Sequence, residues 1–315
     1  MENSKVQLAI VGVGKIVRDQ HLPSIERSGC YDLVATASRN ETIDGVDAYK
    51  DIQAMLGDRP DIEAVSLCMP PQYRYSAAHY ALSEGLDVLL EKPPGATVCE
   101  VEQLAELART NDCCLYTTWH SRHGAAVDVA REFLRRADVE IQSAEVHWKE
   151  DVRKWHPGQE WIWQAGGLGV FDPGINGLSI LTYLLPQRIF VESAQLHFPL
   201  NKAAPIAANV SFRTASKCKV SAEFDWRIDG DEQWDIELMT NKGTLCLSSG
   251  GAQLSLDGQP IEVPVHSPYG EYEAIYDKFA RAIANKESAV DLTPLKLVAD
   301  AFLLGNRHHV EDFVE

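Results

Sequence analysis

Apolar and polar positions change rhythm about 120 residues into the chain. Before that point, short unbroken apolar runs alternate with segments whose apolar residues recur every three or four positions. The runs at 6–11, 33–37, 64–68, 87–90 and 113–118 predict strands. The segments at 16–28, 53–56, 76–84 and 100–110 predict helices, with Pro23 able to split the first. Strands that alternate with helices of this length predict parallel pairing and helices on both faces. Residues 1–121 are therefore expected to form an α/β, doubly wound dinucleotide-binding domain of the Rossmann kind.

After a helix predicted at 125–136, strands follow one another at 143–149, 190–198, 207–213, 219–226, 234–239 and 244–248. Val220, Ala222, Phe224 and Trp226 fall on one side of their strand. Such one-faced alternation predicts a large open, mainly antiparallel sheet in an α+β domain over 122–315. Asn241-Lys242-Gly243 and Asp257-Gly258 have hairpin-turn chemistry. Helices are expected at 272–284 and 294–306, with His308-His309 as a solvated helix end.

Composition narrows the class of protein. A length of 315 residues, 45% apolar and 24% charged, suits two folded domains that need no disulfide or metal staple. The net charge of −17 argues against nucleic acid or an anionic membrane as partner, because both need a basic surface. No apolar run is long enough to span a membrane. The opening MENSKVQLAIVGVG lacks the basic, apolar and small-residue order of a secretion signal. Seven cysteines without a CxxC pair predict a reduced, cytoplasmic protein with no zinc site.

Chemistry first shows at Gly12-Val13-Gly14-Lys15-Ile16-Val17, between the first strand and the first helix. Gly12 permits a tight turn. Gly14 lets backbone amides approach a pyrophosphate at the positive helix end, with Lys15 and Ile16 beside it. The third glycine of the usual pattern is Val17. An NAD site places a carboxylate about 20 residues later, at the end of the second strand. Here stand Ser38 and Arg39, a hydroxyl and a guanidinium suited to a ribose phosphate. NADP is thus expected in preference to NAD, the alternative being a plain surface arginine. Pro70 ends the third strand. Glu91-Lys92-Pro93-Pro94-Gly95 ends the fourth, at the sheet edge where ligands bind in such folds. The prolines fix the direction of Lys92; otherwise Lys92 is a solvated charge. Pro70, Glu91 and Lys92 complete the expected cofactor-binding set.

The Gly12-Val13-Gly14 turn, the Glu91-Lys92-Pro93 lysine and the open-sheet second half resemble the glucose–fructose oxidoreductase/inositol dehydrogenase family over essentially the whole chain. The run WKEDVRKWHPGQ from Trp148 to Gln159, then Trp161-Ile162-Trp163, then GGLGVFDPGIN from Gly166 to Asn176, narrow the similarity. They resemble the bacterial branch acting on galacto-configured aldoses. That resemblance implies NAD(P)-dependent oxidation of the anomeric carbon of D-galactose, L-arabinose or D-fucose to an aldonolactone. It also implies a homodimer or homotetramer through the open sheet face. Rival readings are another polyol or inositol dehydrogenase, and a sugar- or NADP-sensing regulator without turnover.

Asp172 before Pro173 is first of all a helix start. Four residues on, many members of the family carry a histidine as proton acceptor. This chain has Asn176, whose amide cannot take a proton. The catalytic role is therefore expected of Asp172 with Lys92. Four of the seven tryptophans lie between Trp148 and Trp163. Aromatic faces stack on sugar rings, although several of these must simply fill a core. Trp155, His156 and Glu150 are expected to contact substrate, together with His120, Asn176 and Trp234.

Overall fold

The computed structural model of the protein describes residues 5–215 and 218–314. Strand β1 (Val6–Val11) passes through the glycine turn into one π-helical turn (Val17–His21), continued as α1 (Leu22–Ser28). The helical stretch continues through Pro23 without a break, directly after the π turn. There follow β2 (Tyr31–Ala37), β3 (Asp47–Tyr49), α2 (Ile52–Asp58), β4 (Ala64–Leu67) and α3 (Pro71–Ser83). Next come β5 (Asp87–Leu90), α4 (Val98–Thr110), β6 (Leu115–Thr117), α5 (Val127–Leu134) and β7 (Ile141–Lys149). The chain then forms α6 (Val152–Trp155), α7 (Phe171–Leu184), β8 (Ile189–Pro199), β9 (Ala207–Thr214) and β10 (Lys219–Asp225). It ends with β11 (Gln233–Thr240), β12 (Gly243–Ser248), β13 (Gln253–Leu256), β14 (Gln259–Ile261), α8 (Gly270–Asn285), α9 (Thr293–Leu304) and β15 (Asn306–Val310).

The chain divides into two compact units. The first runs to Trp119 and takes in Ser267–Leu292 as well. Its sheet has the order β3-β2-β1-β4-β5-β6, with every pair parallel. The order reverses between β1 and β4, which places the ligand crevice of such sheets at Gly12 and at Met69-Pro70. The sequence boundary at 121 assigned 267–292 to the second domain, and the structure returns this segment to the first unit. The reason is the apolar stripe of α8. Tyr272, Ile275, Tyr276 and Phe279 are buried with Leu8, Ile10, Val17, Ile25 and Tyr31. Helical spacing announces such a stripe but not which core receives it.

The second unit comprises His120–His266 and 293–315. Its nine strands run β14-β13-β12-β11-β7-β10-β9-β8-β15, antiparallel except at β7–β10 and β8–β15. The alternation read in β10 holds, with Val220, Ala222, Phe224 and Trp226 all buried. Helix α7 lies very close to this sheet. A Cβ on Gly174 would stand 2.7 Å from Phe224, and one on Gly177 2.8 Å from Trp148. Both glycines are needed for that approach, which carries Asp172 down to β7 and β10. His308 and His309 are not a helix end. They lie on β15, an edge strand beside β8, where the His308 ring stacks on His197 with centroids 5.4 Å apart. Among the described residues no helix is long and apolar enough to cross a membrane.

Candidate active site

In the second unit, the end of β7, the short α6 and the first turn of α7 bring three titratable side chains together. Glu150 is buried, and both its oxygens accept indole N–H groups. Trp226 Nε1 donates to Oε1 at 3.1 Å, and Trp234 Nε1 to Oε2 at 2.9 Å. His156 Nε2 lies 3.9 Å from Glu150 Oε1 and 3.8 Å from Asp172 Oδ2, beyond hydrogen-bond length in each case. Its ring leans on Trp226 with centroids 5.3 Å apart, and its Nδ1 faces Gln159 Oε1 at 3.4 Å.

Asp172 is 2% exposed and sits one residue inside α7. Val170 holds the N-cap position without a side-chain bond, so Asp172 is not the cap that the Asp-Pro step suggests. It lies in the first helical turn, where a helix dipole favours negative charge. Asn176 follows one turn later, half-buried.

The other expected substrate contacts are placed differently. Trp155 is 43% exposed, and its indole N–H donates to Glu232, which also accepts Lys154 Nζ at 2.6 Å. Lys154 and Trp155 together hold the Glu232 carboxyl below its usual range, against the opposing effect of burial. Trp234 packs edge-on to Trp155, with centroids 5.6 Å apart. With its N–H given to Glu150, Trp234 is an orienting group as well as an aromatic face. His120 opens the 3-10 turn His120–His123, its Nδ1 3.3 Å from Ser121 Oγ. Trp148 and Trp163 are buried packing residues.

In the first unit, Gly12 has a φ of +89°, and a Cβ there would stand 2.6 Å from Met69 N. Around Gly14 nothing lies within 4 Å of where a Cβ would be. That combination fits a pyrophosphate drawn against the backbone. Lys15 is exposed and paired with Asp19, and Ile16 is 39% exposed. At the end of β2, Ser38 N donates to Tyr49 O at 2.9 Å. The exposed Arg39 guanidinium lies 6.0 Å from the Tyr73 ring centre. Pro70 is the N-cap residue of α3, and Pro71 begins that helix instead of ending the strand's loop.

Glu91 is buried and turned inward. Its Oε2 accepts the backbone N–H of Lys92 at 2.6 Å, and its Oε1 accepts the Tyr272 hydroxyl at 2.8 Å. His21 Nε2 lies 3.3 Å from the same Oε1. Arg74, 2% exposed, donates to the carbonyls of Glu91, Pro93 and Met69. The Glu91 carboxylate is thus a fixture of the lysine loop.

Residues 6–118 match the oxidoreductase family with a NAD-binding Rossmann fold, Gfo/Idh/MocA. A galactose 1-dehydrogenase from Pseudomonas fluorescens is 43% identical over 314 residues, covering 98% of this chain and 99% of that protein. The chain belongs to the Gfo/Idh/MocA family. It is an oxidoreductase of that family. The crystal structure of a D-galactose-1-dehydrogenase from Rhizobium etli shares 55% identity with it. That structure matches at a TM-score of 0.93 over 100% of this chain and 99% of the other. A 3-ketoreductase from Actinomadura kijaniata, solved with NADP, matches at a TM-score of 0.82 over 98% of this chain and 100% of its own. At 18% identity it speaks only to the fold.

Against this Gfo/Idh/MocA frame, His21, Arg74, Tyr272, Tyr276 and Glu232 are residues that the sequence reading passed over, and Trp226 was read only as a strand residue. Tyr272 and Tyr276, one helical turn apart, carried a signal: two polar tips on a buried stripe need partners. Glu232 carried none, because it acts through a residue 77 positions away.

Proposed function

We propose that this enzyme oxidises the anomeric carbon of a galacto-configured aldose to its aldonolactone. The reading is supported most by the Glu150–His156–Asp172 cluster, on a chain that matches galactose 1-dehydrogenases end to end. D-Galactopyranose and L-arabinopyranose share their ring-hydroxyl arrangement, and galactose adds one hydroxymethyl. One pocket can therefore accept both, and D-fucose with them, since a single small group discriminates modestly.

Asp172 takes the proton of the anomeric hydroxyl as the carbon–hydrogen bond beside it breaks. The ring carbon and its oxygen become the lactone carbonyl. Lys92 steadies the negative charge that gathers on that oxygen. Bound nicotinamide supplies the acceptor for the departing hydride. His156 and Glu150 receive sugar hydroxyls, and Asn176 both donates and accepts. Gly12 and Gly14 admit the pyrophosphate, and Ser38 and Arg39 favour a ribose phosphate, which makes NADP the preferred cofactor and NAD the lesser.

The test is reduced-nicotinamide absorbance with D-galactose, L-arabinose and myo-inositol, each offered NAD and NADP. We expect turnover with the two aldoses and a higher kcat/KM with NADP. Turnover with inositol alone overturns the substrate class. Silence with all three, from protein that still binds NADP, favours a sensing role.

A further inference from the structure

We propose that Glu91, braced by Tyr272 and His21, is a positioning residue that sets the direction of Lys92. This rests on the role given to Lys92 above. The carboxylate bends back to accept the N–H of the very next residue, Lys92, at 2.6 Å. The carbonyls of the residues on either side of Lys92, Glu91 and Pro93, are held by Arg74. Two buried charged side chains therefore grip the lysine's backbone from opposite polar groups, while the lysine side chain itself is only half-buried.

The bracing continues inward. Tyr272 and His21 meet Glu91 Oε1 from α8 and from the π turn before α1. His21 Nδ1 reaches Tyr276 Oη at 2.7 Å, and Tyr276 Oη reaches Ser66 Oγ on β4 at 3.1 Å. The backbone carbonyl of Tyr276 is in turn held by the Tyr31 hydroxyl at 2.8 Å. His21, Ser66 and Tyr276 are fully buried, so water competes for none of these bonds. Burial opposes charge on His21, but Cys68, Tyr276 and Glu91 around it outweigh that and raise its pKa well above the ordinary value. The His21 ring thus faces the Glu91 carboxylate with its Nε2.

Stability alone is a weak reason for such an arrangement. A buried ion pair often contributes no more than well-packed apolar side chains of the same size. What apolar residues cannot do is hold an N–H and its neighbouring carbonyls in one orientation. The helix that completes the brace, α8, arrives from 181 residues downstream and packs behind the lysine loop.

Tyr272→Phe removes one oxygen and leaves the packing in place, and Glu91→Gln removes the charge. Both are measured in the wild-type and Lys92→Ala backgrounds. A misplacement of about 1 Å can cost about 100-fold in rate. We expect kcat to fall roughly 3- to 10-fold for Tyr272→Phe and about 10- to 100-fold for Glu91→Gln. The KM for galactose and the Kd for NADP should stay within about twofold. In the Lys92→Ala background neither change should cost further turnover, because there is no lysine left to aim. Equal proportional losses in both backgrounds, or an unchanged kcat for Tyr272→Phe, overturn the proposal. Full turnover by Lys92→Ala alone removes the role of Lys92, and with it the brace, whatever the other variants do.

Discussion

Each unit buries a carboxylate beside a histidine, and the two pairs are built to opposite ends. In the first unit, Glu91 faces inward, and hydrogen-bond donors of its own unit, the Lys92 N–H and the Tyr272 O–H, close on it at 2.6 and 2.8 Å. His21, at 3.3 Å from Glu91 Oε1, is completely buried. In the second unit, His156 stands near 4 Å from both Glu150 and Asp172, too far to bond either. Glu150 is oriented by two indoles, and Asp172 by the start of α7. The residue types are alike, and all three carboxylates are buried. What differs is the distance from histidine to carboxylate: 3.3 Å from His21 to Glu91, against 3.8 and 3.9 Å from His156 to Asp172 and Glu150.

The comparison breaks most visibly at Asp172. Asp172→Asn keeps the shape and removes the proton acceptor, so kcat should fall about 100- to 10,000-fold with the fold intact by circular dichroism. Retained turnover would make the second cluster a frame like the first.

His21→Gln tests the other side. Removing one partner of a buried ion pair costs about 3 kcal/mol. The sign with pH follows from the raised folded-state pKa of His21. Its contribution to stability is complete below the unfolded value of about 6.5 and is lost as pH rises through the folded value. The gap in Tm between wild type and His21→Gln should therefore be widest near about pH 6 and narrow toward alkaline pH. A gap that stays constant with pH would mean that His21 is buried neutral.

Arg39→Ala should raise the Kd for NADPH about tenfold and leave that for NADH within about twofold, read by the fluorescence of the reduced nicotinamide. Equal effects on both cofactors would detach Arg39 from the ribose phosphate. The smallest effect is expected at Glu232, which holds Trp155 by its indole N–H. Glu232→Gln should raise the KM for the sugar about threefold with kcat unchanged, the mark of lost ground-state binding.

Much of the first unit is legible in the chain. The runs at 6–11 and 87–90 are strands with the expected bounds, because unbroken apolar segments between turn residues admit little else. The α/β and open-sheet architectures, the hairpin at 241–243 and the alternation of β10 are equally direct. The failures share a cause. The helix read at 76–84 begins earlier, at Pro71, because proline is tolerated as a first helical residue and only the path of the chain beyond it decides. Helix α8 shows its stripe but not its destination. Trp234 and Trp155 look alike as aromatic faces, and their indole N–H groups go to Glu150 and Glu232, 84 and 77 residues away. Side-chain partners at such separations leave no local pattern.

The central claim is that hydride leaves the anomeric carbon. D-Galactose deuterated at that carbon tests it directly, with the reduced cofactor and the sugar product followed by mass spectrometry and NMR. We predict one deuterium transferred to the nicotinamide and galactonolactone as the first product. Reduced cofactor without deuterium, with the label kept in the sugar, would place the oxidation at another carbon and contradict the account.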